Sequence, residues 1–379
     1  CRLERDWLDD YALFSALAEH FGTHEWPSWP PAVAGRDPSA LAEWQERLAG
    51  EVEFHRFCQF VFYRQWDAFA NHCRRLGLRL IGDIPFYVNF EGADAWSHPE
   101  VFLLDERTGR PAVVAGVPPD YFSATGQRWG NPVYRWHDAH GDLGEEPVRW
   151  WEQRLRHLLR ETPMVRIDHF RGFSAHWEIP ADEPSAARGR WVTGPGKALF
   201  DRISARLGPL PLVAEDLGVI TADVRRLRDG LALPGMKVLQ FAFDGDPQNP
   251  YLPQNYPTPN CLVYTGTHDN NTTNGWFYGA EAGEEGRRYV CEYLGLTHRD
   301  EFHWQLIRLA MLSTADICMI PMQDLLGYAG EFRMNLPGRG AGNWRWRLRP
   351  DRPDRAVLDR LHRQCGLANR LPLPGVAVP

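Results

Sequence analysis

Three acids at the ends of β-prone runs carry the chemistry that this sequence offers: Asp168, Glu215 and Asp269. Asp168 closes Met164-Val165-Arg166-Ile167 and precedes His169-Phe170-Arg171-Gly172. Strand side chains alternate with a period of two, so Arg166 and Asp168 emerge on one side. An arginine there holds the carboxylate ionised and fixed in direction, as a carboxylate nucleophile requires. The pair also reads as a strand-end ion pair that only fastens a loop. Glu215 emerges from the apolar run Leu212-Val213-Ala214, where burial raises a carboxyl pKa enough to make it an acid at pH 7. Asp269, beside His268, can accept hydrogen bonds from hydroxyls and oppose a developing positive charge. Glycosidic chemistry uses two carboxyl groups in different protonation states across one bond.

These acids converge only if their strands run parallel and end on one side, since catalytic groups of a parallel barrel gather at the carboxyl ends of its strands. Strand-like runs occupy residues 78–83, 164–168, 211–216, 236–243, 261–266 and 315–320. Helical spacing of apolar residues marks 6–21, 39–48, 51–76, 150–160, 197–207, 221–230 and 302–313, with Gly22 and Gly77 as stops. Strands separated by helices argue for parallel βα units. Four of the runs close on an acid: Asp83, Asp168, Glu215 and Asp269. The expected fold is an α/β (β/α)8 TIM barrel with helical and loop insertions, two strands short in this chain. An open doubly wound sheet is the alternative. The chain opens Cys1-Arg2-Leu3-Glu4-Arg5, with no initiator methionine, and the two strands are expected upstream of it.

The expected organisation is a helical subdomain at 1–77, a catalytic barrel at 78–350 and a tail at 351–379. Residues 89–142 read as a turn-rich aromatic excursion, better suited to binding than to disorder.

Composition excludes several classes. Apolar residues make up 44% and charged residues 24%, ordinary for a globular protein. No apolar run approaches the roughly 18 residues of a membrane span, so no membrane partner is expected. Net charge is −7 and no basic cluster interleaves with aromatics, so no nucleic-acid partner is expected. The 7 cysteines are scattered and form no CxxC pair, which argues against a disulfide framework or zinc site and for a reducing, cytoplasmic home. The 16 tryptophans could fill a core or stack on sugar faces.

Val165-Arg166-Ile167-Asp168-His169-Phe170-Arg171-Gly172, Ala214-Glu215-Asp216-Leu217-Gly218 and Thr267-His268-Asp269-Asn270 together resemble the 4-α-glucanotransferase family (amylomaltase or disproportionating enzyme), within the α-amylase superfamily. Gly82-Asp83-Ile84-Pro85-Phe86-Tyr87-Val88, the 118–132 loop and the run from Asn335 to Arg347 share the resemblance, which fades after Pro350. It implies Asp168 as nucleophile, Glu215 as acid/base and Asp269 as transition-state stabiliser. It further implies Arg166, His169, His268 and Asp83 around the donor sugar, with Tyr121, Phe122, Gln127 and Trp129 on a loop over the glucan. Phe241 and Asn335 fall at further contact positions. The implied reaction is retaining transfer between α-1,4-glucans, with glucose or maltooligosaccharides as acceptors and no metal or organic cofactor. Roughly the first quarter of the usual family chain is absent. A hydrolase of the same superfamily and an impaired glucan-binding fragment are the rival readings.

Other signals point to nothing further. Gly338-Arg339-Gly340-Ala341-Gly342 follows no strand, Asp244-Gly245-Asp246 has too few acids for calcium, and Asn270-Asn271-Thr272 lacks a secretory signal. His176, His298 and His303 have no second ligand at metal spacing.

Overall fold

Each of the six strand-like runs yields a strand, and every pairing among those six is parallel. The structure is a computed structural model that describes residues 4–119 and 125–371. The chain divides into two compact units, Cys1–Leu233 and Pro234–Pro379.

The first unit begins with helices: α1 (Arg5–Phe21), α2 (Pro31–Ala34), α3 (Pro38–Arg47) and α4 (Ala49–Arg75). Gly22 takes a left-handed φ of 68° and returns its N–H to the Ala18 and Glu19 carbonyls, which stops α1. Asp37 caps α3 by accepting from the Ser39 and Ala40 amides, with Pro38 opening the helix. Then follow β1 (Ile81–Ile84), α5 (Ala93–Ser97), β2 (Val113–Val117), β3 (Gln127–Pro132), α6 (Glu145–Glu161), β4 (Met164–Ile167), β5 (Ala175–Pro180) and β6 (Arg190–Thr193). The unit closes with α7 (Gly196–Leu207), β7 (Leu212–Ala214) and α8 (Ala222–Gly230). A three-stranded parallel sheet runs β1-β4-β7. Its core includes Ile84, Val165, Ile167 and Leu212, with Trp151 and Leu155 from α6 and Phe200 from α7 packed on it.

The excursion at 89–142 is more ordered than its turn residues suggest. β2 and β3 join β5 and β6 in an antiparallel sheet of order β3-β2-β5-β6. The turn-rich reading missed β2 and β3, and β5 and β6 went unread as well; all four are short, and the β2–β5 pairing that holds the sheet together joins residues more than sixty positions apart. Gly116 shows how closely they approach: a Cβ there would lie 2.2 Å from the Gln127 carbonyl oxygen, beside a register shift in the β2–β3 ladder.

The second unit holds β8 (Gly235–Val238), β9 (Cys261–Tyr264), α9 (Thr273–Tyr278), α10 (Gly283–Tyr293), α11 (Phe302–Leu312), β10 (Ile317–Met319), α12 (Met322–Leu325) and α13 (Arg355–Leu367). Its parallel sheet runs β10-β9-β8. Stacked Phe277 and Phe302 rings, 3.7 Å between centroids, centre its core. Within the region read as a tail, α13 sets Val357, Leu361 and Cys365 against Trp304, Ile307 and Met311 of α11.

Among the described residues the parallel strands form two three-stranded sheets and no closed barrel. No described helix is long and apolar enough to cross a membrane.

Candidate active site

Strand register places the acids of the first unit. Asp83 pairs with Arg166 across β1 and β4, and Ile167 pairs with Ala214 across β4 and β7. Asp168 and Glu215 therefore follow paired residues and stand level at the carboxyl ends of adjacent parallel strands, about 4.8 Å apart in such a sheet. The ladder carries on past both strands: the Asp168 amide donates to the Ile84 carbonyl (2.9 Å) and the Glu215 amide to that of Ile167 (3.0 Å).

Arg166 joins two of the acids. Its Nη1 donates to both oxygens of Asp83 at 2.8 and 2.9 Å, and its Nη2 donates to Asp168 Oδ1 at 2.8 Å. Its side chain is only 10% exposed, whereas those of Asp83 and Asp168 are 49% and 45% exposed. Burial opposes the guanidinium charge, but Asp83, Asp168 and Glu215 outweigh it and raise its pKa. Arg166 thus stays charged and directs the Asp168 carboxylate.

Glu215 has the opposite character. Burial, reinforced by the negative Asp168 beside it, pushes its carboxyl up to about 7, against the opposing pull of Arg166. Its oxygens accept from the His169 and Leu217 amides, both at 2.8 Å. His169 reaches that bond through a left-handed backbone, φ 51°. Burial also lowers the His169 imidazole to about 4, leaving it neutral at pH 7 although Asp168 pulls the other way. Among the described residues its Nε2 is buried without a hydrogen-bond partner. The ring stands edge-on to Trp129, 4.9 Å between centroids. Gly172 ends this motif because a Cβ there would lie 2.6 Å from the Phe86 ring.

The support behind β1 was not legible in the sequence. Arg154 of α6 donates to the Pro85 carbonyl at 2.8 Å and lies over the Trp150 and Trp151 rings. The Tyr134 hydroxyl donates to the Phe86 carbonyl. Gln127 and Trp129, expected on a loop, stand on β3, where Gln127 Oε1 accepts from Trp129 Nε1 at 3.2 Å. Tyr121 and Phe122 lie outside the described residues.

In the second unit Asp269, His268 and Asn335 come together. Asn335 Nδ2 donates to Asp269 Oδ1 at 2.5 Å, and its amide donates to the His268 carbonyl at 3.1 Å. His268 Nε2 lies 3.4 Å from Asp269 Oδ2. Phe241, predicted as a contact, is half-buried against Tyr251 after β8. Two positioning residues went unread. Arg333 donates to the Asp269 and Asn335 carbonyls, and its place two residues before Asn335 was the available signal. Asp324 is 1% exposed and accepts from the Thr265 hydroxyl and from the Thr273 amide and hydroxyl, anchoring the β9 end from which Asp269 springs. Burial raises its pKa against those three donors. Among the described residues no group of three or more His, Cys, Asp or Glu is arranged to hold a metal ion.

Comparison with known proteins identifies the family. A family model described as 4-alpha-glucanotransferase matches residues 1–352. The chain belongs to the 4-alpha-glucanotransferase family. The 4-alpha-glucanotransferase of Synechocystis is 49% identical over 352 residues, covering 93% of this chain and 68% of the relative. That of Thermus thermophilus is 52% identical over 349 residues, covering 91% and 69%. The structure of the amylomaltase from Streptococcus agalactiae in complex with acarbose matches with a TM-score of 0.91 at 36% identity, over 97% of this chain and 73% of that one. Membership of the 4-alpha-glucanotransferase family makes the chain a transferase of carbohydrate metabolism, of the glycosyltransferase type.

Proposed function

We propose that the chain moves a segment of an α-1,4-glucan to the 4-hydroxyl of glucose or another glucan by retaining double displacement. The Asp168 carboxylate attacks the anomeric carbon while Glu215 gives its proton to the departing 4-oxygen. The old glycosidic bond breaks and a glycosyl ester on Asp168 forms. The 4-hydroxyl of an acceptor then attacks the same carbon, its proton passes to Glu215 and the ester bond breaks. Both carboxyl groups return to their starting states. Asp269 opposes the positive charge that develops on the sugar in each step.

One observation carries the assignment of roles: a buried arginine holds Asp168, while Glu215, level with it on the next strand, keeps its proton to about 7. Retaining enzymes need carboxyl groups about 5–5.5 Å apart, and strand neighbours about 4.8 Å apart at the backbone put both side chains within reach of one sugar.

The substrate contacts belong to the same proposal. Asp83, Arg166, His169 and His268 surround the donor sugar, and Phe241 and Asn335 make further contacts. Trp129 and Gln127, with Tyr121 and Phe122, cover the glucan and keep water out while the acceptor arrives. The acarbose held by the Streptococcus agalactiae relative supports an oligosaccharide ligand. The two parallel sheets, with acids at strand ends, support a (β/α)8 plan in the 78–350 region, flanked by the 1–77 helices and a 351–379 tail. Scattered cysteines support a cytoplasmic setting.

Incubation with maltotriose tests the reaction. Transfer produces glucose together with maltopentaose and longer chains, whereas a water acceptor produces only shorter sugars. A product set without longer chains overturns the transferase reading.

A further inference from the structure

The inner face of the antiparallel sheet carries buried polar groups to which the proposed reaction gives no task. His176 and Glu178 stand two residues apart on β5 and so point to one side, opposite Trp177 and Ile179. Trp177 and Ile179 pack with Val114 and Ala186 in a small separate cluster. Ala115, the register partner of Glu178 on β2, belongs instead to the core that contains Phe86, Tyr87, Phe170 and Phe173. His176 and Glu178 therefore face that core, at 1% and 3% exposure. His176 Nε2 lies 3.2 Å from Glu178 Oε1, and Glu178 Oε2 accepts from Arg190 Nη2 at 3.2 Å.

What this pair faces lies directly beneath the active site. Among the described residues His176 Nδ1, Tyr87 Oη and His169 Nε2 are all buried without a hydrogen-bond partner. The Tyr87 and His169 rings stand 6.0 Å apart between centroids, and Trp129 meets them at 6.1 and 4.9 Å. The four groups feel one another. Burial, with Tyr134 and Glu178 behind it, holds the Tyr87 phenol well above its usual range. Burial lowers His169, with Arg171 and His176 behind it and Asp168 against it. Glu178 stays below the usual carboxylate range because His176 and Arg190 outweigh its burial. A His176 that donates from Nε2 to this carboxylate presents Nδ1 as an acceptor. Buried groups of this kind are ordinarily satisfied, and one buried water joins about three of them.

The His169 backbone is what such an anchor would steady. Its φ of 51° is a conformation that a residue with a Cβ adopts only when its surroundings impose it. Held there, its amide meets Glu215 Oε2 at 2.8 Å. That bond draws the Glu215 carboxyl downward, against burial and Asp168. We infer that His176 and Glu178 are positioning residues for the proton donor: through a water shared with Tyr87 Oη they fix the His169 ring, and the fixed ring keeps the His169 amide on Glu215. The inference takes Glu215 as the acid of the proposed reaction. Asp168 and Arg166 of β4 act on Glu215 directly, with Asp83 of β1 bound to Arg166. Asp216, next in the chain, is paired with Arg228 of α8. His176 and Glu178 act through the His169 amide instead.

The test reads Glu215 without turnover. Carbon-13 resonances of labelled glutamate carboxyl groups are followed with pH, and the Glu215 signal is identified by its loss in Glu215→Gln. The parent midpoint is expected at about 7. His176→Phe, similar in shape and without ring nitrogens, is expected to raise it by about one pH unit, the scale of one lost hydrogen bond to a charged group. His176→Gln keeps a donor and an acceptor and is expected to bring it back to within about 0.3 of the parent. Glu178→Met is expected to raise it as well, whereas deleting a negative charge that acted directly on Glu215 would lower it. Tyr87→Phe removes one hydroxyl while leaving the ring packed, so it reads the bridge even where a larger change fails to fold; an upward shift is expected. An unmoved midpoint in Tyr87→Phe overturns the inference. So do equal shifts in the two His176 variants, or a downward shift in Glu178→Met. The maltotriose products decide the transferase reading separately: longer chains with unmoved midpoints sink only this inference, and moved midpoints without longer chains sink only that reading.

Discussion

Asp83 and Arg166 are register partners on adjacent parallel strands, and Arg166 reaches from that pairing to Asp168, one residue past the end of β4. The guanidinium is the bridge by which an acid on one strand steadies an acid on the next. Replacing it with a neutral chain of similar length, Arg166→Met, leaves two carboxylates without their cation. The expected result is a fall in kcat/KM of about 10²–10³-fold, with the acidic limb of the profile moved to higher pH. A pH–rate profile identical to the parent's would remove Arg166 from the mechanism.

Asp168→Asn takes away the proposed nucleophile while keeping the Arg166 contact possible through its amide oxygen. Transfer from maltotriose should drop by at least about 10³-fold. Glucan binding, measured by calorimetry with acarbose, should stay within about threefold, because binding and covalent attack are separate contributions. Parent-rate transfer by a sequence-verified variant refutes the assignment.

Glu215→Gln addresses a raised carboxyl pKa. The folded group titrates at about 7 and the unfolded one near 4.5, so between those values only the folded state holds the proton. Stability therefore falls as pH rises through that window, and the full penalty stands above it. The variant should melt about 1–3 °C above the parent at pH 8, with a smaller difference at pH 4.5. Its transfer rate should drop by about 10²–10⁴-fold, and the parent's decline in kcat/KM above pH 7 should vanish with the acid that causes it. A melting difference independent of pH would mean that Glu215 is an ordinary carboxylate.

Asp324→Ala tests the anchor beneath Asp269. It strands the Thr265 hydroxyl and the Thr273 amide and hydroxyl in a buried place. Chemical denaturation should show a loss of about 2–4 kcal/mol, with Asp324→Asn recovering part of it by keeping one acceptor oxygen. If Ala and Asn behave alike, the hydrogen bonds are not what holds this corner.

Much of the chemistry was readable without coordinates because it is local. Arg166 and Asp168 share a side through the two-residue period of a strand, and Glu215 follows an apolar run that the fold buries. Gly22 stops α1 as its spacing foretold. The antiparallel sheet of β2, β3, β5 and β6 escaped notice for the converse reason. Trp177-Glu178-Ile179 becomes strand by pairing with residues more than sixty positions away, and no local pattern records a distant partner. Arg154, Tyr134 and Asp324 escaped for the same reason, since each acts on backbone or hydroxyl groups remote in sequence.

The residue order alone determined which acids could act, which of them an arginine would keep charged, and to which family the motifs belong. Only the tertiary structure decided that Ile167 faces Ala214, and with it that Asp168 and Glu215 stand level on neighbouring strands. Register is a property of two strands together, set by the side chains that must be buried on the shared face, and neither strand encodes it by itself. The proton held by Glu215 has the same origin, because its pKa answers to the burial and the neighbouring charge that folding brings to it.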